Sequence, residues 1–162
     1  MEGKVTNKFV LPVFWALFGV FVAFIIIMQV LMMTPVRQLI SESLGVDFAL
    51  SPFFISGPLL FPLGLALLLL TVKSEIDRTL KKFLILTGAS AVGIFASMLL
   101  HNLVYGAFIQ WFGEGFWERT GLEDEPFFFM MAVFVCPLAY LVGTVGSIAT
   151  IIRRKKHETQ RV

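Results

Sequence analysis

The sequence predicts an all-α integral membrane protein, an antiparallel bundle of four transmembrane helices. Four stretches contain no charged side chain, at residues 9–33, 53–72, 83–108 and 127–152. Each has about the 20 residues that an apolar helix needs to cross a bilayer. The composition agrees, since 57% of the residues are hydrophobic and only 15% are charged. The connections are too short to bury a core of their own, so we expect one membrane domain over residues 1–162.

Lysine and arginine fall almost entirely on one side of these four stretches. All but two of the 13 lie in the N-terminal segment, in the connection after the second stretch or in the C-terminal tail; the other two are Arg37 and Arg119. Connections on the cytoplasmic side carry the excess of Lys and Arg. Both termini are therefore predicted to be cytoplasmic, which agrees with an even number of spans.

The connection between the first two spans has the pattern of a short amphipathic helix over residues 35–44. Thr34 and Pro35 suit its start and Gly45 suits its end. Apolar residues recur between them at helical spacing, so we expect a helix that lies on the outer membrane face. It could be a lid or a partner surface, and a solvated connector is the simpler interpretation.

Small residues recur at every fourth position in the third and fourth stretches. They are Ala89, Gly93 and Ser97 in the third, and Ala139, Gly143 and Ser147 in the fourth. In lipid the hydrophobic effect does not drive helices to associate. Close packing of backbones at small residues drives association instead. The pattern predicts that these two spans pack against each other along the two stripes.

Polar residues of the first and third stretches are expected at a similar depth near the outer membrane edge: Gln29, His101, Asn102 and Tyr105. At 1.5 Å per residue, His101 lies about 27 Å above Phe83. One hypothesis is an outward-facing site for a small molecule, a lipid headgroup or a proton, because ionisable residues within spans often mark functional sites. The other is that these groups only hydrogen-bond to one another between helices.

Several kinds of site lack the residues they need. No Asp or Glu lies within any of the four stretches, whereas coupled ion transport usually relies on a buried carboxylate. Haem held by two histidines needs a second His in a span, but His157 lies in the tail. Cys136 is the single cysteine, so neither a disulfide nor a cysteine metal cage is possible within one chain. We expect no metal, no cofactor and no nucleic-acid partner.

The run His101-Asn102-x-x-Tyr105 and the pair Cys136-Pro137, with the glycines that follow it, lie in two segments at residues 80–105 and 125–148. These segments resemble a group of small, uncharacterised bacterial membrane proteins with several spans. The resemblance implies a bacterial inner membrane and no particular activity.

The sequence favours a non-enzymatic accessory or scaffold subunit, surrounded by membrane lipid and packed against another membrane protein or against copies of itself. The first alternative is a small-molecule or lipid binding protein, such as a transporter component, that uses the outer polar residues. An enzyme acting on a lipid is the second alternative, with the least support because no nucleophile has a plausible base beside it.

Overall fold

The computed structural model describes residues 2–32, 51–122 and 125–160. Within these segments the chain forms helices and turns and no β-strand, which confirms the all-α prediction for this part of the chain. The short helix predicted over residues 35–44 lies outside the described residues.

Four long helices account for most of the described structure: α1 (Glu2–Met32), α2 (Ser51–Lys73), α3 (Arg78–Phe112) and α6 (Cys136–Thr159). Two short helices lie between α3 and α6 in the chain, α4 (Phe116–Arg119) and α5 (Pro126–Met130). A π-helical segment, Met131–Val135, joins α5 to α6.

Among the described residues, three stretches are long and apolar enough to cross a membrane: Lys8–Ile27, Arg78–Phe112 and Pro126–His157. A shorter apolar stretch, Leu59–Lys73, lies in α2. We call the end of the molecule with the α2–α3 turn and residues 153–156 the basic end. The opposite end, which holds Phe108, Phe112, Phe116 and Trp117, is the aromatic end.

Side-chain contacts close the turn between α2 and α3 at the basic end. Asp77 caps α3, because its carboxylate accepts a hydrogen bond from the backbone N–H two residues later. The same carboxylate pairs with Arg154 of α6. The Lys81 ammonium donates to the carbonyl oxygens of Val72 and Ser74, at 2.8 and 2.9 Å. These contacts satisfy carbonyls at the end of α2 and tie α2, α3 and α6 together.

Glycines let α2 and α3 approach closely. A Cβ atom on Gly88 of α3 would lie 2.9 Å from the carbonyl oxygen of Gly64 on α2, and a Cβ on Gly64 would lie 3.1 Å from the carbonyl oxygen of Gly88. The atoms in the way belong to backbone, which cannot move aside as a flexible side chain can. The crossing of these helices therefore depends on both glycines.

α6 packs on another face of α3 and runs antiparallel to it. Near the basic end, Gly146 lies against the Phe83 ring and Gly143 against Thr87. Further along, a Cβ atom on Gly93 would lie 2.8 Å from the Cys136 sulfur. Residue numbers rise along α3 as they fall along α6, so the contact continues over several turns.

α1 packs against α2 through one apolar face. Its buried residues recur every three or four positions: Val10, Phe14, Leu17, Phe21 and Phe24. The Phe21 ring also lies against the Tyr140 ring of α6, with the centroids 4.0 Å apart. α1 and α6 therefore meet through large side chains, and this contact closes the core.

Candidate functional site

His101 of α3 contacts Glu125, the residue that precedes α5. The imidazole Nδ1 lies 3.0 Å from the backbone oxygen of Glu125 and 3.5 Å from its carboxylate Oε2. A carbonyl oxygen can only accept a hydrogen bond, so the shorter contact requires the proton on Nδ1. This pair links α3 to the start of the last helical segment.

Glu125 is buried, with 6% of its surface exposed. Its two carboxylate oxygens accept hydrogen bonds from the backbone N–H groups of Phe127 and Phe128, both at 2.9 Å. The carboxylate thus caps α5 and satisfies N–H groups that have no partner within the helix. Both oxygens already accept a bond, so the group is engaged in holding the fold.

Glu125 was not among the site residues predicted from the sequence. A local signal was present. Glu125 directly precedes Pro126, and proline is favoured at the first position of a helix, just after the capping residue. That pair of residues predicts a helix start at which the glutamate can cap.

An aromatic stack continues from His101 toward the aromatic end. The rings of His101 and Tyr105 are nearly parallel, with centroids 6.5 Å apart, and Tyr105 stacks on Trp117 with centroids 5.8 Å apart. Trp117 is buried, and its Nε1–H donates to the backbone oxygen of Tyr105 at 3.4 Å. The stack holds α4 against the end of α3, and Phe129 of α5 lies beside the imidazole.

The structure brings two of the four predicted polar residues together. His101 and Tyr105 share one face of α3, whereas Asn102 is exposed and its amide donates to the Met98 carbonyl of the same helix. Neighbouring residues in a helix point about 100° apart, which places Asn102 away from His101. Gln29 is exposed on α1, a helix that packs mainly against α2.

Four of the six predicted packing residues lie in helix contacts or are buried, and the other two are more exposed. Gly93 and Gly143 contact α6 and α3 respectively, and Ser97 and Ser147 are buried. Ala139 is half-buried and Ala89 is exposed, away from the contact. The buried face of α3 follows alternating steps of three and four residues, as in Leu80, Leu84, Thr87, Ala91 and Ile94. Residues spaced strictly by four drift about 40° around the helix axis at each step. Ala89 therefore lies off the buried face that Ser97 belongs to.

A second set of polar side chains lies nearer the basic end. Four hydroxyls are buried and have no hydrogen-bond partner among the described residues: those of Thr71, Tyr140, Thr144 and Ser147. Of these residues, only Ser147 was singled out from the sequence, as a packing residue.

Within the described residues, no group of three His, Cys, Asp or Glu side chains is placed to hold a metal ion. Comparisons of the chain with models of known families, with curated proteins and with solved structures find no match.

Proposed function

We propose that this chain is a non-enzymatic integral membrane protein that acts by helix–helix association. It serves as an accessory or scaffold subunit of a membrane complex or of a homo-oligomer. In this proposal α2 also crosses the membrane, giving four spans, and both termini are cytoplasmic. The resemblance noted above further suggests a bacterial inner membrane.

The length of α2 and the charge of the basic end support this topology. α2 has 23 residues, which corresponds to about 34 Å of helix and exceeds the roughly 30 Å of hydrocarbon in a bilayer. The basic end carries Lys73, Lys81, Lys82 and the cationic run at residues 153–156. Positive charge of this kind favours the cytoplasmic side.

The observation that carries the proposal is an exposed face on the outer half of α3. Leu99, Asn102, Leu103 and Gly106 are all exposed, and their spacing of three and four residues places them on one side of the helix. Leu103 is 68% exposed. A Cβ atom on Gly106 would meet nothing within 4 Å. We call these four residues the α3 outer face.

A carboxamide on such a face favours association with another helix. Asn102 uses one N–H on the Met98 carbonyl, and the group has a second N–H and an acceptor oxygen. In hydrocarbon, a hydrogen bond between helices stabilises association by about 0.6–2 kcal/mol. Gly106, one turn away, leaves room for a second backbone. A second copy of α3 would present the same donor and acceptor in return.

The ligand-binding alternative has less support from the same geometry. It needs Gln29, His101, Asn102 and Tyr105 to line one site, and only His101 and Tyr105 lie together. His101 contacts Glu125, whose carboxylate caps α5. These contacts give both residues a role in holding the helix ends.

Cysteine cross-linking in membranes tests the proposal. Cys136 is the single cysteine, so Cys136→Ala provides a background for Leu103→Cys on the α3 outer face. Met130→Cys is the matched control, because Met130 is exposed and lies near the height of Leu99, given that Cys136 contacts Gly93. We expect a bifunctional reagent, attached to the cysteine at one end and photoreactive at the other, to cross-link position 103 and not position 130. A product of twice the mass indicates self-association, and a product of another mass indicates a partner. Equal or absent cross-linking at both positions contradicts the proposal.

A further inference from the structure

The four unpartnered hydroxyls, which we call the hydroxyl row, lie on α2 (Thr71) and on α6 (Tyr140, Thr144 and Ser147). Thr71, Tyr140 and Ser147 have 0% of their surface exposed, and Thr144 has 3%. The hydroxyls of Tyr140 and Thr144 are close enough to interact, but their geometry is not that of a hydrogen bond. All four side chains are therefore buried.

Helix register places Thr71 and Ser147 at one level of the bundle. Ser147 follows Gly146, which lies against Phe83, and Thr71 lies two turns beyond Gly64, which lies against Gly88. Ser147 of α6 and Thr71 of α2 are therefore at about the same height along α3. Thr144 and Tyr140 follow along α6, at steps of about 4.5 and 6 Å toward the aromatic end.

α1 offers this region no polar partner from its described core face. The residues it buries are Val10, Phe14, Leu17, Phe21 and Phe24, which have no hydrogen-bonding side chain. The Phe21 ring lies against the ring of Tyr140, the member of the hydroxyl row nearest the aromatic end.

Other hydroxyls in the same helices are satisfied locally. Thr87 donates to the Phe83 carbonyl, and Thr150 donates to the Gly146 carbonyl. This bond to the preceding turn is available to any Ser or Thr in a helix, yet Thr71, Thr144 and Ser147 do not make it.

Buried hydroxyls in proteins are almost always hydrogen-bonded, either to protein or to ordered water. The partner here has to be small, neutral, and both a donor and an acceptor, because each hydroxyl is itself a donor and an acceptor. Water meets these requirements and typically bonds to two to four polar groups when it is buried.

We propose that Thr71, Tyr140, Thr144 and Ser147 bind a short file of ordered water molecules that enters from the basic end. Thr71 is two residues from the end of α2, and its carbonyl accepts a hydrogen bond from Ser74 in the turn. The charged groups Lys81, Asp77 and Arg154 surround this turn. In this proposal the water lies between that polar end and the Tyr140–Phe21 ring pair.

Water-edited solid-state NMR of the full-length protein in lipid nanodiscs tests the inference. We expect magnetisation to pass from water to the side chains of Thr144 and Ser147 in the unmodified protein. The double variant Thr144→Val/Ser147→Ala should lose the transfer to Tyr140. Thr150→Val is the matched control, because it removes a hydroxyl of α6 that is bonded to the preceding turn, and it should leave the transfer unchanged.

Thermal unfolding gives a second readout. Deleting hydroxyls that bind water should lower Tm by a few degrees, because the remaining water loses partners. Deleting hydroxyls that lie dry and unpaired should raise Tm instead. No water signal at Thr144 in the unmodified protein, or a signal at Tyr140 that persists in the double variant, overturns the inference. The first of these measurements requires no variant to fold.

Discussion

Gly143 of α6 lies so close to Thr87 of α3 that a Cβ atom at position 143 would fall 2.6 Å from the Thr87 hydroxyl oxygen and 2.8 Å from its backbone nitrogen. The backbone nitrogen belongs to a rigid helix and cannot move aside. This contact sets the separation of α3 and α6 near the basic end. Changes here test the packing directly.

Replacing Gly143 with alanine should destabilise the protein by about 1–3 kcal/mol, because the added methyl group overpacks the helix contact. Gly19→Ala is the control, since a Cβ atom there meets nothing within 4 Å and alanine favours a helix over glycine. Reversible unfolding in detergent or nanodiscs measures both. Equal stabilities for the two variants would show that the helices are further apart than described.

Replacing Glu125 with alanine should loosen the start of α5. The variant loses the acceptor for the backbone N–H groups of Phe127 and Phe128, and loss of a capping side chain costs about 0.5–2 kcal/mol. Hydrogen exchange at these two amides should accelerate. Glu118→Ala, which removes an exposed carboxylate on α4, serves as the control. Unchanged protection in Glu125→Ala would argue against the cap.

Replacing Asn102 with leucine should weaken association through the α3 outer face. Loss of a hydrogen bond between helices, at about 0.6–2 kcal/mol, corresponds to a roughly 3- to 30-fold weaker equilibrium. Energy transfer between labelled copies in liposomes, or to a labelled partner, measures the change. Met130→Leu controls for a substitution at similar height. An Asn102→Leu protein that associates as tightly as the unmodified chain contradicts this use of the face.

Labelling from one side of the membrane tests the four-span topology. Single cysteines in the Cys136→Ala background, at positions 41, 75, 114 and 156, sample the three connections and the C-terminal tail. Four spans with cytoplasmic termini predict that an impermeant reagent added outside labels 41 and 114 and spares 75 and 156. Equal labelling of positions 41 and 75 would mean that α2 does not cross.

The long helices could be predicted from the sequence, whereas their exact ends could not. The stretch predicted at residues 83–108 is helical over Arg78–Phe112, because α3 starts at its cap Asp77 and continues past Lys81. A stretch without charged residues ends where the chain leaves the hydrocarbon. A helix can continue into water, because its backbone N–H and C=O groups still have hydrogen-bond partners there. α2, which covers the charge-free residues 53–72, is likewise helical over Ser51–Lys73.

Hydropathy could not predict how each helix is rotated about its own axis. Asn102 and His101 are adjacent in sequence but point to different sides of α3, so a shared depth did not mean a shared site. Tyr140 and Thr144 lie in a stretch that is apolar on average, which gave no sign that their hydroxyls face the core. The rotation of α6 about its axis depends on which of its residues pack against α3. The contact of Gly143 with Thr87 fixes that rotation.

Native mass spectrometry of the full-length chain, extracted gently from its own membrane, tests the central claim most directly. The proposal predicts either a stoichiometric second membrane protein or a defined homo-oligomer. The Asn102→Leu variant should shift that population toward the monomer. A monomer that carries a bound small molecule, and that keeps this state in Asn102→Leu, would contradict the scaffold role and favour the ligand-binding alternative.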